Sequence, residues 1–532
     1  VGTGVTIGVA GIATFRSGRI DLSDSLYNTS IGHAAGDSVT TGQYNVAVGV
    51  NAFTVNTTGS QNTSVGGYAL DANTTASYNT ALGYAALSAN TTGASNVALG
   101  RQALTANTTG DYNTAAGYNS LDAATTADSN TAFGYMTLSA NTTGADNTAV
   151  GKDALLENTT GVNNTAVGKG ALAANTTANN NTAVGHNALD ANTTGIDNVA
   201  LGANALTANT TGDQNTGIGL QALEKNTTAD SNTAVGFKAL EENTTGATNV
   251  AVGANALTEN TTASDNTGIG YNALAANTTG ANNTACGGVS LDANTTGDAN
   301  TAIGYAALSA NTTANNNTAL GYFTLLANTT GGNNTAVGHD ALKANTTASD
   351  NVAVGYGALE SNTTGDKNTA VGTYTLDVVT TGANNTGVGY GVLTNSTASN
   401  NTAVGKWAMN SNTTGTENCA FGTNALQVNT TGSHNTAVGL NALDGNTTGQ
   451  RNTTIGYNSQ TNSTTGNNNT TCGADTMVSL STGHDNTAIG AWALNAISTG
   501  HGNVGVGNSA LDANTTGFHN VAVGMNALLS IT

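Results

Sequence analysis

Apolar positions in this chain return with a long fixed period instead of the 3.6-residue period of an amphipathic helix. From Asn28 onward a phrase of the form Asn-Thr-Ala-Val-Gly-x-x-Ala-Leu-x-x-Asn-Thr-Thr-Gly-x-x recurs thirty times, its first glycine falling at Gly32, Gly49, Gly66 and onward to Gly524. Successive glycines are 17 residues apart in 28 intervals and 16 apart in one, between Gly389 and Gly405. Counting from the first Asn, position 1 is Asn in every unit, position 3 is small, position 4 is apolar, and position 9 is Leu in 25 units. Charged residues gather at positions 6, 7, 10, 11, 16 and 17. The pattern predicts a core made by positions 4 and 9 and a solvated exterior at the charged positions.

Seventeen residues broken by two glycines and Asn-Thr-Thr cannot hold the two helices of a helical solenoid unit, because a helix below ~12 residues is marginal. The unit instead suits one coil of an all-β fold, a parallel β-solenoid or β-roll of about 30 coils with a 17-residue repeat. With strands about 4.8 Å apart, the stack is expected to form a rod on the order of 140 Å long. Residues 1–27 lack the repeat and read as an atypical N-terminal cap or docking segment, followed by a continuous solenoid over 28–532. The absence of Pro agrees, since each inner coil must donate backbone N–H groups to its neighbours.

Stacking turns each position into a column. Position 1, as at Asn147, Asn164, Asn181 and Asn198, is expected to form an internal asparagine ladder. The glycines of position 5, such as Gly151, Gly168, Gly185 and Gly202, are expected at corners with positive φ, as are those of position 15. The neighbouring apolar pairs at positions 3–4 and 8–9 would point to opposite faces of an extended chain. One face of a thin coil would then pack against a second copy, a three-fold bundle being one solution, unless a turn separates the paired residues.

The phrase Asn-Thr-Ala-Val-Gly-x-x-Ala, as in residues 147–154 and 181–188, resembles the repeats of YadA-like trimeric autotransporter adhesin heads and repeat regions of bacteriophage tail fibres. The resemblance implies a left-handed, trimeric parallel β-roll on a cell or virion surface. The period here is longer than that of the adhesin heads, and no heptad stalk is visible.

Composition narrows the partners. Eleven Lys plus Arg against 31 Asp plus Glu give a formal charge of −20, which leaves little to neutralise a nucleic-acid backbone. No apolar run approaches the ~20 residues of a membrane-spanning helix, so the chain is expected not to span a membrane. A start at Val1 without a basic and apolar leader suggests a processed or truncated product. An uncovered last coil near Thr532 would invite head-to-tail addition of further subunits.

Candidate chemistry is sparse. Cys286, Cys419 and Cys472 fall at positions 4, 2 and 4, too many coils apart to pair within a chain, and read as small core side chains. His484 and His501 share position 16 of consecutive coils, but two ligands make a poor metal site. Asp153, Asp190, Glu241 and Glu242 vary from coil to coil and read as solvated. No catalytic, cofactor-binding or metal-binding set is expected.

Two repeated features remain. Asn-Thr-Thr at positions 12–14 forms an acceptor sequence for N-glycosylation, as at Asn56, Asn73, Asn90 and Asn107, or else a tight turn with Asn in the left-handed region. The paired threonine column at positions 13 and 14 would suit ice binding if it were flat. The favoured reading is an extracellular, cell-surface or virion-surface structural fibre, adhesive or protective, assembling with itself as a homo-oligomer or head-to-tail filament. Surface glycans or host cells are its candidate targets, and an ice-binding solenoid is the alternative.

Overall fold

The computed structural model describes residues 24–529. The chain divides into two compact units, Val1–Ala203 and Asn204–Thr532, and each is a parallel β-solenoid. The first unit carries strands β1 (Thr29–Ile31) to β11 (Val199–Leu201), and the second carries β12 (Thr216–Ile218) to β30 (Val521–Val523). Among the described residues there is no helix. The N-terminal cap expected over residues 1–27 lies, apart from its last four residues, outside the described residues, as does the terminal Thr532.

Every strand is three residues long and spans positions 2–4 of a coil. Within each unit, equivalent residues stand opposite one another: Thr148, Ala149 and Val150 pair with Thr165, Ala166 and Val167. The short coil keeps this register, with Thr386 opposite Thr402 and Val388 opposite Val404. Inter-coil bonds continue beyond the strands. The Thr165 N–H donates to Asn181 O at 2.8 Å, Leu155 N–H to Ala171 O at 3.0 Å, and Thr159 N–H to Thr176 O at 2.9 Å. Each circuit therefore hands its backbone donors and acceptors to the next, which leaves few buried polar groups unpaired in so thin a body.

Beyond the strand the chain coils tightly. Asp153 at position 7, Leu155 at position 9 and Asn163 at position 17 have φ of 58°, 50° and 59°. Left-handed backbone is unfavourable for residues with a Cβ, most of all for β-branched ones. This explains a restriction in the sequence: position 9 is buried in every coil but the first and the last, yet never Val, Ile or Thr. At position 5, φ is 130° at Gly151, 139° at Gly168, 140° at Gly185 and 143° at Gly202. A Cβ on Gly151 would also lie 2.6 Å from the Gly168 carbonyl oxygen, so both conformation and space demand glycine there. The position-15 glycines behave differently from expectation, because Gly144 and Gly161 do not have positive φ. Ala takes the same buried place at Ala76, Ala178 and Ala229, so the position calls for a small residue and not for glycine alone.

The core is narrow and built from positions 3, 8 and 9. Ala149, Ala154 and Leu155 are fully buried, and their equivalents are buried in the inner coils of both units. Position 4 is not part of it: Val150, Phe133 and Leu201 are 37%, 43% and 47% exposed. Strand alternation is the reason, since an inward position 3 forces positions 2 and 4 outward. The left-handed turn residues at positions 7 and 9 remove that alternation from the second pair, so Ala and Leu at positions 8 and 9 both face inward.

Candidate functional site

Two columns of asparagine amides lie inside the coils and hold the outer surfaces in place. In the first, Asn147 Oδ1 accepts the Asn164 backbone N–H at 3.0 Å, Asn164 Oδ1 accepts from Asn181 at 3.0 Å, and Asn181 Oδ1 accepts from Asn198 at 2.9 Å. The side-chain amides donate across the coil, Asn147 to Gly161 O at 2.8 Å, Asn164 to Ala178 O at 2.8 Å and Asn181 to Gly195 O at 2.9 Å. All four residues are fully buried. Position 1 thus satisfies the chain both along the stack and across it.

The second column is position 12, where the sequence suggested glycan acceptors. Asn56, Asn73, Asn90 and Asn107 are fully buried. The Asn73 amide donates to Asn56 Oδ1 and the Asn90 amide to Asn73 Oδ1, each at 2.9 Å, and Asn107 continues the series to Asn90 Oδ1. Each amide also closes its own turn, as Asn56 does on Gly59 O at 3.0 Å. None of the four has positive φ. A glycan on any of these nitrogens is incompatible with this packing. In the short coil Ser396 takes the inward place, while Asn395 is exposed.

Outside, the threonine pair is split. The position-13 hydroxyls donate to the next coil, Thr57 Oγ1 to Thr74 O at 3.2 Å and Thr91 Oγ1 to Thr108 O at 2.9 Å. Position 14, as at Thr58, Thr75, Thr92 and Thr109, stands exposed along the column, whereas position 13 is exposed only in a few coils, as at Thr413 and Thr464. The expected two-column threonine array is therefore a single column.

The continuous apolar surface is the outward sheet face. Position 2 is Thr, Val or Cys and position 4 is apolar in all thirty strands, with no charged residue at either. Leu82 is 50% exposed and Ile455 43%. Contiguous apolar columns of this kind are the surface feature that marks interaction sites. The cysteines belong here and not to the core: Cys286 and Cys472 are exposed at position 4, and Cys419 is half-buried at position 2. Burial pushes the Cys419 thiol upward. All three are free.

Charged side chains sit on the other faces, some less solvated than expected. Glu241 is buried against Lys238 at 3.0 Å, while Glu242 meets Lys225 at 2.6 Å and Asp153 meets Lys152 at 3.3 Å. At position 10, burial raises the carboxyls of Asp71, Asp122, Asp190, Asp292 and Asp444, and pushes Asp377 up to about 6 with Glu360 adding to the effect. His484 and His501 do come together, their rings stacked at 4.9 Å. Among the described residues no group of three or more His, Cys, Asp or Glu could hold a metal ion, and no helix is long and apolar enough to cross a membrane.

The position-4 stripe was visible in the sequence but misassigned inward; its signal was the small residue preceding it, which is all the narrow interior can take. Compared with models of known protein families the chain matches none, and a comparison with curated proteins gives no match either.

Proposed function

We propose that this chain is a subunit of an extracellular or virion-surface structural fibre, adhesive or protective in role, which assembles with copies of itself through the outward sheet face. The observation that carries the reading is the charge-free apolar column at position 4, present in every coil of a chain with a formal charge of −20. Covering it against a second copy removes roughly 1 kcal/mol of exposed apolar surface per coil and buries no charge. Continuous backbone ladders and two internal amide columns suit a body that resists proteolysis and carries load.

Ice recognition fits less well, because half of the threonine hydroxyls are bonded to backbone. Glycosylation at the buried position-12 asparagines is not part of the reading, and the intact mass is expected to equal the bare 52.3 kDa. Sedimentation velocity tests the assembly. The wild-type chain should sediment as an oligomer, and a variant carrying Val150→Lys, Val167→Glu and Val184→Lys, whose alternating charges attract along the column, should shift toward smaller species. A wild-type chain that remains monomeric at about 100 μM sinks the proposal, and thermal hysteresis from that monomer would favour ice binding.

A further inference from the structure

Within the second unit, residues 368–418 depart from the repeat in several ways at once. The coil 385–400 is one residue short, Val379 and Ser396 replace Asn at position 12, and successive position-7 residues are Tyr374, Gly391 and Trp407. Elsewhere along the unit aromatic rings stack on one another: Tyr305 on Tyr322 at 5.5 Å, Tyr322 on His339 at 5.0 Å, and His339 on Tyr356 at 5.4 Å. Those faces are covered by neighbouring rings. Gly391 interrupts the position-7 column between Tyr374 and Trp407, and a Cβ there would lie 2.9 Å from Trp407 Cδ1.

A cleft of about 400 Å³ opens at this interruption, with Tyr374, Tyr390 and Trp407 on its walls and Asp377, Thr394 and Asn410 at its polar edge. The polar edge is held rigid. The Asn410 amide donates to Thr394 Oγ1 at 2.7 Å and to Gly391 O at 3.0 Å, while Thr394 Oγ1 donates to Asn410 O at 3.2 Å. Asp377 is half-buried at this edge, its Oδ1 turned away from solvent like that of Asp71, Asp122, Asp292 and Asp444 at position 10 of other coils. Tyr374 and Tyr390 therefore present apolar surface, with Trp407, over whose ring Lys406 Nζ lies at 4.1 Å, beside a fixed hydroxyl–amide pair and the edge of a carboxylate.

We infer that this cleft binds a neutral saccharide, one or a few hexopyranose units of a longer glycan. A pyranose ring has an apolar C–H face suited to an aromatic wall and a rim of hydroxyls suited to the hydroxyl, amide and carboxylate groups of such an edge. A neutral ligand fits the charge balance: Asp377, Glu360 nearby and the formal −20 of the chain repel anionic sugars, and the one ammonium at the cleft, Lys406 Nζ, is engaged over the Trp407 ring at 4.1 Å. None of the lining residues comes from position 2 or 4, so assembly through the sheet face leaves the cleft open. The inference rests on the adhesive part of the reading above and names its ligand class.

The chain has two tryptophans, and Trp492→Phe leaves Trp407 as sole reporter. In that background, fluorescence titrations use maltohexaose, cellohexaose, chitohexaose and mannohexaose, with sialyllactose as the anionic comparison. At least one neutral hexasaccharide should give a saturable change with Kd on the order of 1 mM. Binding should be at least tenfold weaker in Asp377→Asn and lost in Gly391→Asn, which keeps the commonest position-7 residue but fills the floor. Tyr84→Ala, on a regular coil, should bind as wild type. No saturable change with any neutral sugar up to about 10 mM, or a change that survives Gly391→Asn, overturns the inference. Sedimentation of the same samples reads assembly separately, so loss of sugar binding and loss of self-association are distinguishable.

Discussion

Residues 147–197 of the first unit and residues 368–418 of the second are written in the same phrase but keep different parts of it. Both retain the position-1 ladder: Asn164 N–H reaches Asn147 Oδ1 at 3.0 Å, and across the short coil Asn401 N–H still reaches Asn385 Oδ1 at 3.0 Å. The second stretch gives up the position-12 ladder, where Asn412 donates to Ser396 Oγ at 3.2 Å instead of to an amide. Its missing residue is absorbed in the outer turn. The Asn385 amide finds Ala398 O at 2.8 Å thirteen residues on, where regular coils use fourteen. The strand, the corner glycine and the first ladder require identical atoms in every circuit, whereas the outer turn needs only to return the chain. Variation, and with it the candidate sugar cleft, gathers in the stretch where the repeat is relaxed.

The sharpest break would be at a corner of the regular stretch. Gly168→Val places a β-branched residue at φ 139°, with its Cβ driven into the Gly185 carbonyl. A loss of about 4 kcal/mol or more is expected, seen as coil-local loss of hydrogen-exchange protection, since solenoid stability is set largely by neighbouring coils. Next is Asn164→Leu, which leaves the buried Asn181 N–H without its acceptor and removes one of the two amide donors to the Ala178 carbonyl. It should cost about 2–4 kcal/mol by the same measurement, while Asn395→Ala in the exposed turn of the short coil should cost less than about 0.5 kcal/mol.

A pH titration separates the stretches more gently. Burial holds the Asp377 carboxyl at about 6, above its ordinary 3.8, so the folded chain binds that proton more tightly than the unfolded chain. Stability at this coil should therefore be full below pH 4 and fall as pH rises through 6, by on the order of 1 kcal/mol after solvent screening. Asp377→Asn should flatten the profile in urea unfolding at pH 4.5 and 7.5. One further expected effect is a gain. Ala124 interrupts the position-12 column and leaves Asn107 Oδ1 buried without a partner. Ala124→Asn should restore the ladder and raise stability by about 1 kcal/mol, read as slower exchange over residues 107–141. No gain there would mean that the second ladder contributes little even in regular coils.

Much of this was legible in the residues. A constant Asn at position 1, a constant Gly at position 5 and Leu at position 9 identified a stacked circuit and three of its inner or corner columns. Position 4 was misread because apolarity alone does not say which side of a strand faces inward. Ala149 occupies the narrow interior, and Val150 has to point away from it. Asn56 and its equivalents stayed open between glycan acceptor and turn because an acceptor sequence and an internal amide ladder use the same residue. Cys286 and Cys472 followed position 4 outward for the same reason as Val150.

The period, its single shortened interval and the identity of each column belong to the sequence by itself, because stacking needs nothing but equal repeats of donors, acceptors and small side chains. The tertiary structure decided which columns face inward. Left-handed residues at positions 7, 9 and 17 curl the chain so that Ala-Leu turns wholly into the core, while the three-residue strand keeps its alternation and presents Thr and Val to the outside. Sidedness of this kind depends on where the backbone bends in space, and the apolar pattern is the same for either side.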